Sequence, residues 1–124
     1  MRQNYFLIQS VFFQYCGNGK IISEILSARS AVLAWEVSNK NKQFQIPEYS
    51  ENEYKLGVMK KLMRLKVEQH KDVRDALVSS GEQKIVKHIV SGPPGDGFWD
   101  DGTDGKGLNH TGRMWMEIRE ELKK

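Results

Sequence analysis

Apolar residues recur at helical spacing from the first turns of the chain. Across 4–16 they are Phe6, Leu7, Val11, Phe12 and Tyr15, after which Gly17 and Asn18 supply a stop. Short helices are predicted over 21–26 and 28–37, and the polar run 39–47 ends in Pro47 and reads as a loop. Ser50-Glu51-Asn52-Glu53 has the pattern of a capping box, in which serine serves the N3 amide and glutamate reaches back. The helix behind it is predicted to run to about His70. At about 100° per residue, Tyr54, Val58, Leu62 and Leu65 fall together, and Leu56, Met59 and Met63 widen the arc past half the circumference. So wide an arc predicts the central, most buried helix. Residues 71–80 predict another helix, with Val73, Leu77 and Val78 inward and Gly81 as its C′ stop. The β-branched run 84–90 has strand composition. After the turn at Pro93-Pro94-Gly95, a last helix starts near Gly107 or Asn109. Its single stripe is Leu108, Thr111, Trp115, Ile118 and Leu122, and Gly112 on the same side predicts a close helix contact. The fold class predicted is mainly α, a compact helical domain with one or two short strands.

Size and composition narrow this without deciding a function. The 124 residues suit one domain, 1–124, and 39% hydrophobic with 28% charged residues is the balance of a globular chain. A net charge of +3 accommodates an anionic small molecule as readily as a nucleic acid. The basic residues Lys55, Lys60, Lys61 and Arg64 lack interleaved aromatics, which argues for a solvated helix face over a nucleic-acid groove. Cys16 is the single cysteine, so no intrachain disulfide forms and a reducing, cytoplasmic setting is expected. No run approaches the roughly 18 apolar residues of a membrane span. Gln9 and Gln14 interrupt the one stretch that resembles a signal peptide.

The chemistry gathers in 95–112, which holds four aspartates, six glycines and the adjacent pair Phe98-Trp99. Such a run buries little beyond its two rings, while glycine lets the backbone fold tightly around a bound group. The start of the last helix would aim its first N–H groups back at this loop. Known metal and phosphate patterns do not fit. An EF-hand register from Asp100 puts Gly102 and Thr111 where acidic or amide ligands belong. No apolar strand directly precedes Gly105-Lys106-Gly107, and Gly107 replaces the Ser or Thr that follows a Walker lysine. His70, His88 and His110 have no metal spacing and read as structural or exposed. Several residues have two readings at this level. Trp99 is a core plug or a stacking platform. Asn109 is an N-cap or a ligand contact, and Asp104-Gly105 a turn dipeptide or part of the site. Lys66 and Gln69, polar residues within or beside the apolar arc, snorkel or point into a ligand site.

The run Phe98-Trp99-Asp100-Asp101-Gly102-Thr103-Asp104-Gly105-Lys106-Gly107-Leu108-Asn109 closely resembles the signature of the NADAR (YbiA-like) family. The helix from Gly112 to Leu122 and the segment Lys66-Val67-Glu68-Gln69-His70 with Leu77 and Gly81 extend the resemblance over about 51–124. Asp100 stands where the family has glycine and Thr111 where it has leucine. The family also carries a Ser-Asn-Phe motif, and a Glu-His pair ahead of an aromatic-Gln-Ala-x-Lys run. Matching Phe13-Gln14 to that run puts Ser10 and Val11 at the Glu-His positions and Gly17 at the lysine. The resemblance thus implies a divergent or N-terminally truncated member.

What the resemblance implies is an N-glycoside hydrolase acting on ADP-ribosyl groups or ribosylaminopyrimidine phosphates, such as intermediates of the riboflavin pathway. Asp101 matches the family's aspartate and is expected to stabilise the oxocarbenium character of the sugar carbon and to align or deprotonate water. Asp104 would hold ribose hydroxyls or the loop, and Trp99 would stack on the base or cover the sugar. Asn109 would bind a ribose hydroxyl or phosphate at the helix start. Lys106 and Lys66 are the expected phosphate partners, and Gly102 and Gly105 complete the substrate-binding set. No metal or redox cofactor is implied. The expected partner is the small ribosyl phosphate or ADP-ribosyl substrate, carried on nucleic acid in one version. The alternative is a catalytically impaired module that binds ADP-ribose or a nucleotide.

Overall fold

The computed structural model describes residues 19–45, 47, 51–89 and 97–124. The helix expected over 4–16, Cys16, the turn at 93–95 and the departures at positions 10, 11 and 17 lie outside them. Contacts along the chain gather into two compact units, Met1–Met63 and Arg64–Lys124.

The first unit is led by α1 (Gly19–Leu26) and α2 (Ala31–Lys40), which pack on one another. Ile21 and Ile25 lie four apart on α1, and Ala34 and Ser38 four apart on α2, so each helix buries one narrow face. The second helix starts later than its apolar pattern implies because Ser30 is extended, with φ −150° and ψ 161°, and its Oγ accepts the Leu33 N–H at 3.1 Å. It also runs past Val37, into the expected loop. Asn41 closes it by donating from Nδ2 to the Val37 carbonyl at 2.8 Å, and a 3₁₀ turn (Lys42–Phe44) follows. Gln45 Nε2 donates to the buried Ser38 hydroxyl at 3.0 Å, satisfying it.

The long helix α3 (Asn52–Gln69) contributes its first turns to this unit and its last turns, from Arg64, to the second. Lys55 N–H donates to the Glu51 carbonyl in its first turn, and Ser50 of the expected capping box lies outside the described residues. The buried ridge is Met59, Met63 and Val67, whereas Leu65 is 39% exposed and Tyr54, Val58 and Leu62 are half-buried. The expected arc is therefore rotated and narrowed. A helical wheel weighs every apolar residue alike, but a neighbour covers one i, i+4 ridge.

In the second unit, His70 alone joins α3 to α4 (Lys71–Ser79). Its N–H ends one helix on the Lys66 carbonyl, and its own carbonyl accepts the Arg74 N–H that begins the next. Leu77 is buried, Val73 half-buried and Val78 exposed, which corrects the expected inward set by one residue. Gly81, at φ +58°, ends the helix as expected, its N–H donating to the Val78 carbonyl. The last helix, α5 (His110–Leu122), packs on α4 and buries Thr111, Gly112, Met114, Ile118 and Arg119. Leu108 precedes it and is exposed.

Arg119 clamps this pair. Its Nη1 donates to Ser80 Oγ and to the Gln83 carbonyl, both at 2.8 Å, placing a buried cation at the carbonyl end of α4. Outside the core, Arg64 donates two hydrogen bonds to the Glu121 carboxylate, at 2.9 and 2.7 Å, and these raise the guanidinium above its ordinary value. Residues 84–89, expected as a strand, have no regular structure, and the described residues contain no strand. No helix among the described residues is long and apolar enough to cross a membrane.

Candidate functional site

The acidic loop is held by its own backbone. The five consecutive N–H groups of 107–111 donate to the five carbonyls of 97–101, each used once: Gly107 to Asp101, Leu108 to Gly97, Asn109 to Asp100, His110 to Phe98 and Thr111 to Trp99. The distances run from 2.6 to 3.1 Å. The expectation that the first amides of the last helix face the loop is met for His110 and Thr111. Those two amides are spent on the carbonyls of the aromatic pair, so they are not donors to a phosphate. The two layers approach so closely that a Cβ on Gly107 would stand 2.6 Å from the Asp101 carbonyl carbon and 2.7 Å from the Asp100 oxygen. Only glycine fits there.

The irregular segment 84–89 braces this loop, which is why it does not form a strand. Asn109 accepts the Lys87 N–H on Oδ1 at 2.9 Å and donates from Nδ2 to the Ile85 carbonyl at 3.0 Å. The Asp101 N–H donates to the Lys87 carbonyl at 3.0 Å. Backbone groups that a sheet partner would have taken are thus used by an asparagine and a loop amide. Asn109 is buried and left-handed, at φ 50° and ψ 43°, a conformation its short amide tolerates better than most side chains. It occupies the N-cap position of α5 but makes no side-chain cap bond. Gly112, expected to mark a helix contact, instead makes room for the Ile85 carbonyl and for the Asn109 amide.

The three described aspartates of the loop have different surroundings. Asp100 is 4% exposed, and its Oδ1 accepts the N–H of Gly102 at 2.8 Å and of Gly97 at 3.2 Å. It organises the turn. Asp104 is exposed and accepts the Lys106 N–H at 3.0 Å, an Asx turn that leaves the Lys106 side chain in solvent. Asp101 is different: its side chain is 16% exposed, and Oδ1 lies 2.7 Å from His88 Nδ1. A carboxylate only accepts, so the imidazole carries its proton on Nδ1. Oδ2 takes no hydrogen bond among the described residues, and a Cβ on Gly105 would lie 4.0 Å from it. Asp101 therefore has one carboxylate oxygen held by His88 and the other without a hydrogen bond among the described residues, a group suited to accept a proton from water or to face a developing cation.

Beside it stands an aromatic cluster. Trp99 is half-buried and meets Phe98 edge to face, with centroids 4.9 Å apart and planes at 87°, and Phe98 in turn lies 4.6 Å from the His110 ring. Trp99 is thus neither a fully buried plug nor a free platform. Gly102 and Gly105 lie in the same turn at φ +71° and +75°. Lys66 is half-buried on α3 and forms no ion pair among the described residues. Gln69, its companion in the inward reading, is exposed. His88 was read from the sequence as structural or exposed, since its partner Asp101 lies 13 positions away in a motif that does not include it. A separate apolar cleft of about 240 Å³ between α4, α5 and the start of the brace is lined by Val73, Ala76, Leu77, Ser80, Ile85 and Trp115, and none of the expected site residues reaches it.

Comparison with known proteins places these features in context. The model of the NADAR domain matches residues 2–123. N-glycosidase YbiA of Escherichia coli (strain K12) is 42% identical over 65 residues, which is 52% of this chain and 38% of that protein. A riboflavin biosynthesis protein of Vibrio vulnificus is 30% identical over 103 residues, or 83% of this chain and 26% of that one. The match to YbiA thus spans well under half of that relative's length. The solution structure of E. coli YbiA superposes with a TM-score of 0.78 at 29% identity, covering 97% of this chain and 66% of that one.

Proposed function

The chain belongs to the NADAR domain family, and from that premise we propose that it hydrolyses the N-glycosidic bond between a ribose and its base. The observation that carries the reading is Asp101, with Oδ1 held by His88 and Oδ2 beside Gly105 with no hydrogen bond among the described residues. As the C–N bond lengthens, its electron pair goes to the base nitrogen and positive charge builds on the sugar carbon. The Asp101 carboxylate stabilises that charge, which is greater in the transition state than in the bound substrate. Water then forms the new C–O bond, giving up a proton to Asp101 or, through it, to the departing base.

The other residues have supporting parts in this reading. Trp99, half-buried and packed edge to face on Phe98, stacks on the base or covers the sugar. Asp104, exposed beside Gly105, binds ribose hydroxyls. Lys106 and Lys66 supply charge to a phosphate. Asn109 braces the loop, its amide committed to Lys87 and Ile85. For substrates we propose ribosylaminopyrimidine phosphates and ADP-ribosyl groups, free or on nucleic acid, in the reducing cytoplasm that the single cysteine suits. The names of the N-glycosidase and riboflavin biosynthesis relatives support the first of these.

One observation favours a second reading, an ADP-ribose or nucleotide-binding module without turnover: Ser10 and Val11 stand where the family has its Glu-His pair. The deciding experiment is incubation of the protein with a ribosylaminopyrimidine phosphate and with ADP-ribosylated guanosine, with chromatographic detection of released base. Release supports the hydrolase. Binding of either compound without release leaves the binding module.

A further inference from the structure

We infer that His88 is a positioning residue for Asp101, fixing its carboxylate so that Oδ2 is the edge turned to substrate; this rests on the hydrolase reading above. Two adjacent residues of the brace hold the same aspartate at both ends. The Lys87 carbonyl accepts the Asp101 N–H at 3.0 Å, and His88 Nδ1 donates to Oδ1 at 2.7 Å. Backbone and side chain are therefore anchored together, which leaves the carboxylate little freedom to turn. The brace is itself anchored by Asn109 on both sides of Val86, so His88 is presented from a fixed backbone although its side chain is 45% exposed.

The arrangement gives the two carboxylate oxygens different tasks. Oδ1 is committed to the imidazole, and Oδ2 faces the turn in which residue 105 is glycine, 4.0 Å from the position of a Cβ. A side chain longer than a methyl group at 105 would reach that edge. An aspartate that rotates freely would offer its charge to the reacting carbon for only part of the time, and misplacement by about 1 Å costs up to about 10²-fold in rate. The imidazole acts here as a fixed donor, and no proton needs to cross from it.

The test uses three variants of the full chain. His88→Ala removes the donor. His88→Asn places an amide N–H where Nδ1 stood but does not titrate, and His88→Gln carries the same amide one bond too far out. Base release from a ribosylaminopyrimidine phosphate or ADP-ribosylated guanosine gives kcat and KM, with melting temperature as the check on folding. His88→Ala and His88→Gln are expected to lower kcat about tenfold to 10²-fold with KM nearly unchanged, and His88→Asn to restore most of it. Adding His88→Ala to Asp101→Asn should cost little more, because the residue being positioned is already disabled. Full kcat in both His88→Ala and His88→Gln overturns the inference while the hydrolase stands. His88→Asn as slow as His88→Ala also overturns it, since a titrating ring and not a fixed donor would then be required. A wild-type chain that binds but releases no base removes the hydrolase reading and the inference together, an outcome distinct from either.

Discussion

Gly112 and Asn109, one helical turn apart at the start of α5, fit only because the first has no side chain. A Cβ on Gly112 would stand 2.5 Å from Asn109 Nδ2 and 2.6 Å from Oδ1, and would collide with the Ile85 carbonyl as well. The contact expected between helices is in fact a contact between a helix and the brace. Gly112→Ala is therefore expected to destabilise the protein by about 1–3 kcal/mol, the range for forcing an extra carbon into a packed site. Urea unfolding measures this; a gain of stability, as for glycine replaced at an open helical position, would remove the steric account.

Asn109→Gly separates the amide from the backbone conformation, because glycine adopts φ 50° without strain. The Lys87 N–H and Ile85 carbonyl lose their partners. A cost of about 1–3 kcal/mol is expected for buried groups left unpaired, together with faster hydrogen exchange at the Lys87 amide. Unchanged exchange there would mean that the brace stands without Asn109.

Asp100 and Asp101 are neighbours with opposite predicted phenotypes. Asp101→Asn keeps the size and removes the charge, so single-turnover base release should fall by about 10²-fold or more while ligand affinity changes little. Asp100 is 4% exposed and accepts two loop amides, so Asp100→Asn should lower the melting temperature and leave the rate of the folded protein within a few-fold. Equal loss of rate from both would assign Asp100 to the chemistry too.

Trp99 is half-buried, with its ring edge to face against Phe98. Trp99→Ala should cost less stability than the roughly 3–5 kcal/mol of a fully buried tryptophan. If the indole stacks on a base, binding should weaken by about 1–3 kcal/mol, and ligand should alter the indole fluorescence of the wild type. Normal affinity in Trp99→Ala would make it a packing residue only.

Lys66 tests the phosphate reading from another element. Half-buried and without an ion pair among the described residues, it should tolerate Lys66→Met with little change in melting temperature. Affinity for ADP-ribose is expected to drop, with the loss shrinking as salt rises. Equal affinity at low salt would return Lys66 to a snorkelling role.

Helices were legible in this sequence because their signal is local. The helix read over 21–26, the stop at Gly81 and the stripe from Thr111 to Ile118 reflect neighbours within one or two turns, and the structure kept each as a helix. The acidic loop was legible too, since glycine and aspartate at that density disfavour both helix and strand. What only the tertiary structure decided was pairing at distance. The β-branched run 84–90 has strand composition, but a strand also needs a partner. Here Asn109 takes its groups, across 22 residues at Lys87 and 24 at Ile85. The same closure brings His88 to Asp101 across 13 residues and makes Asp100 a turn organiser while Asp101 is held by an imidazole. Local periodicity sets which segments coil. Which carboxylate is held with one oxygen clear depends on where the chain returns to itself, because a hydrogen bond requires its two partners within about 3 Å and no spacing along the chain specifies that.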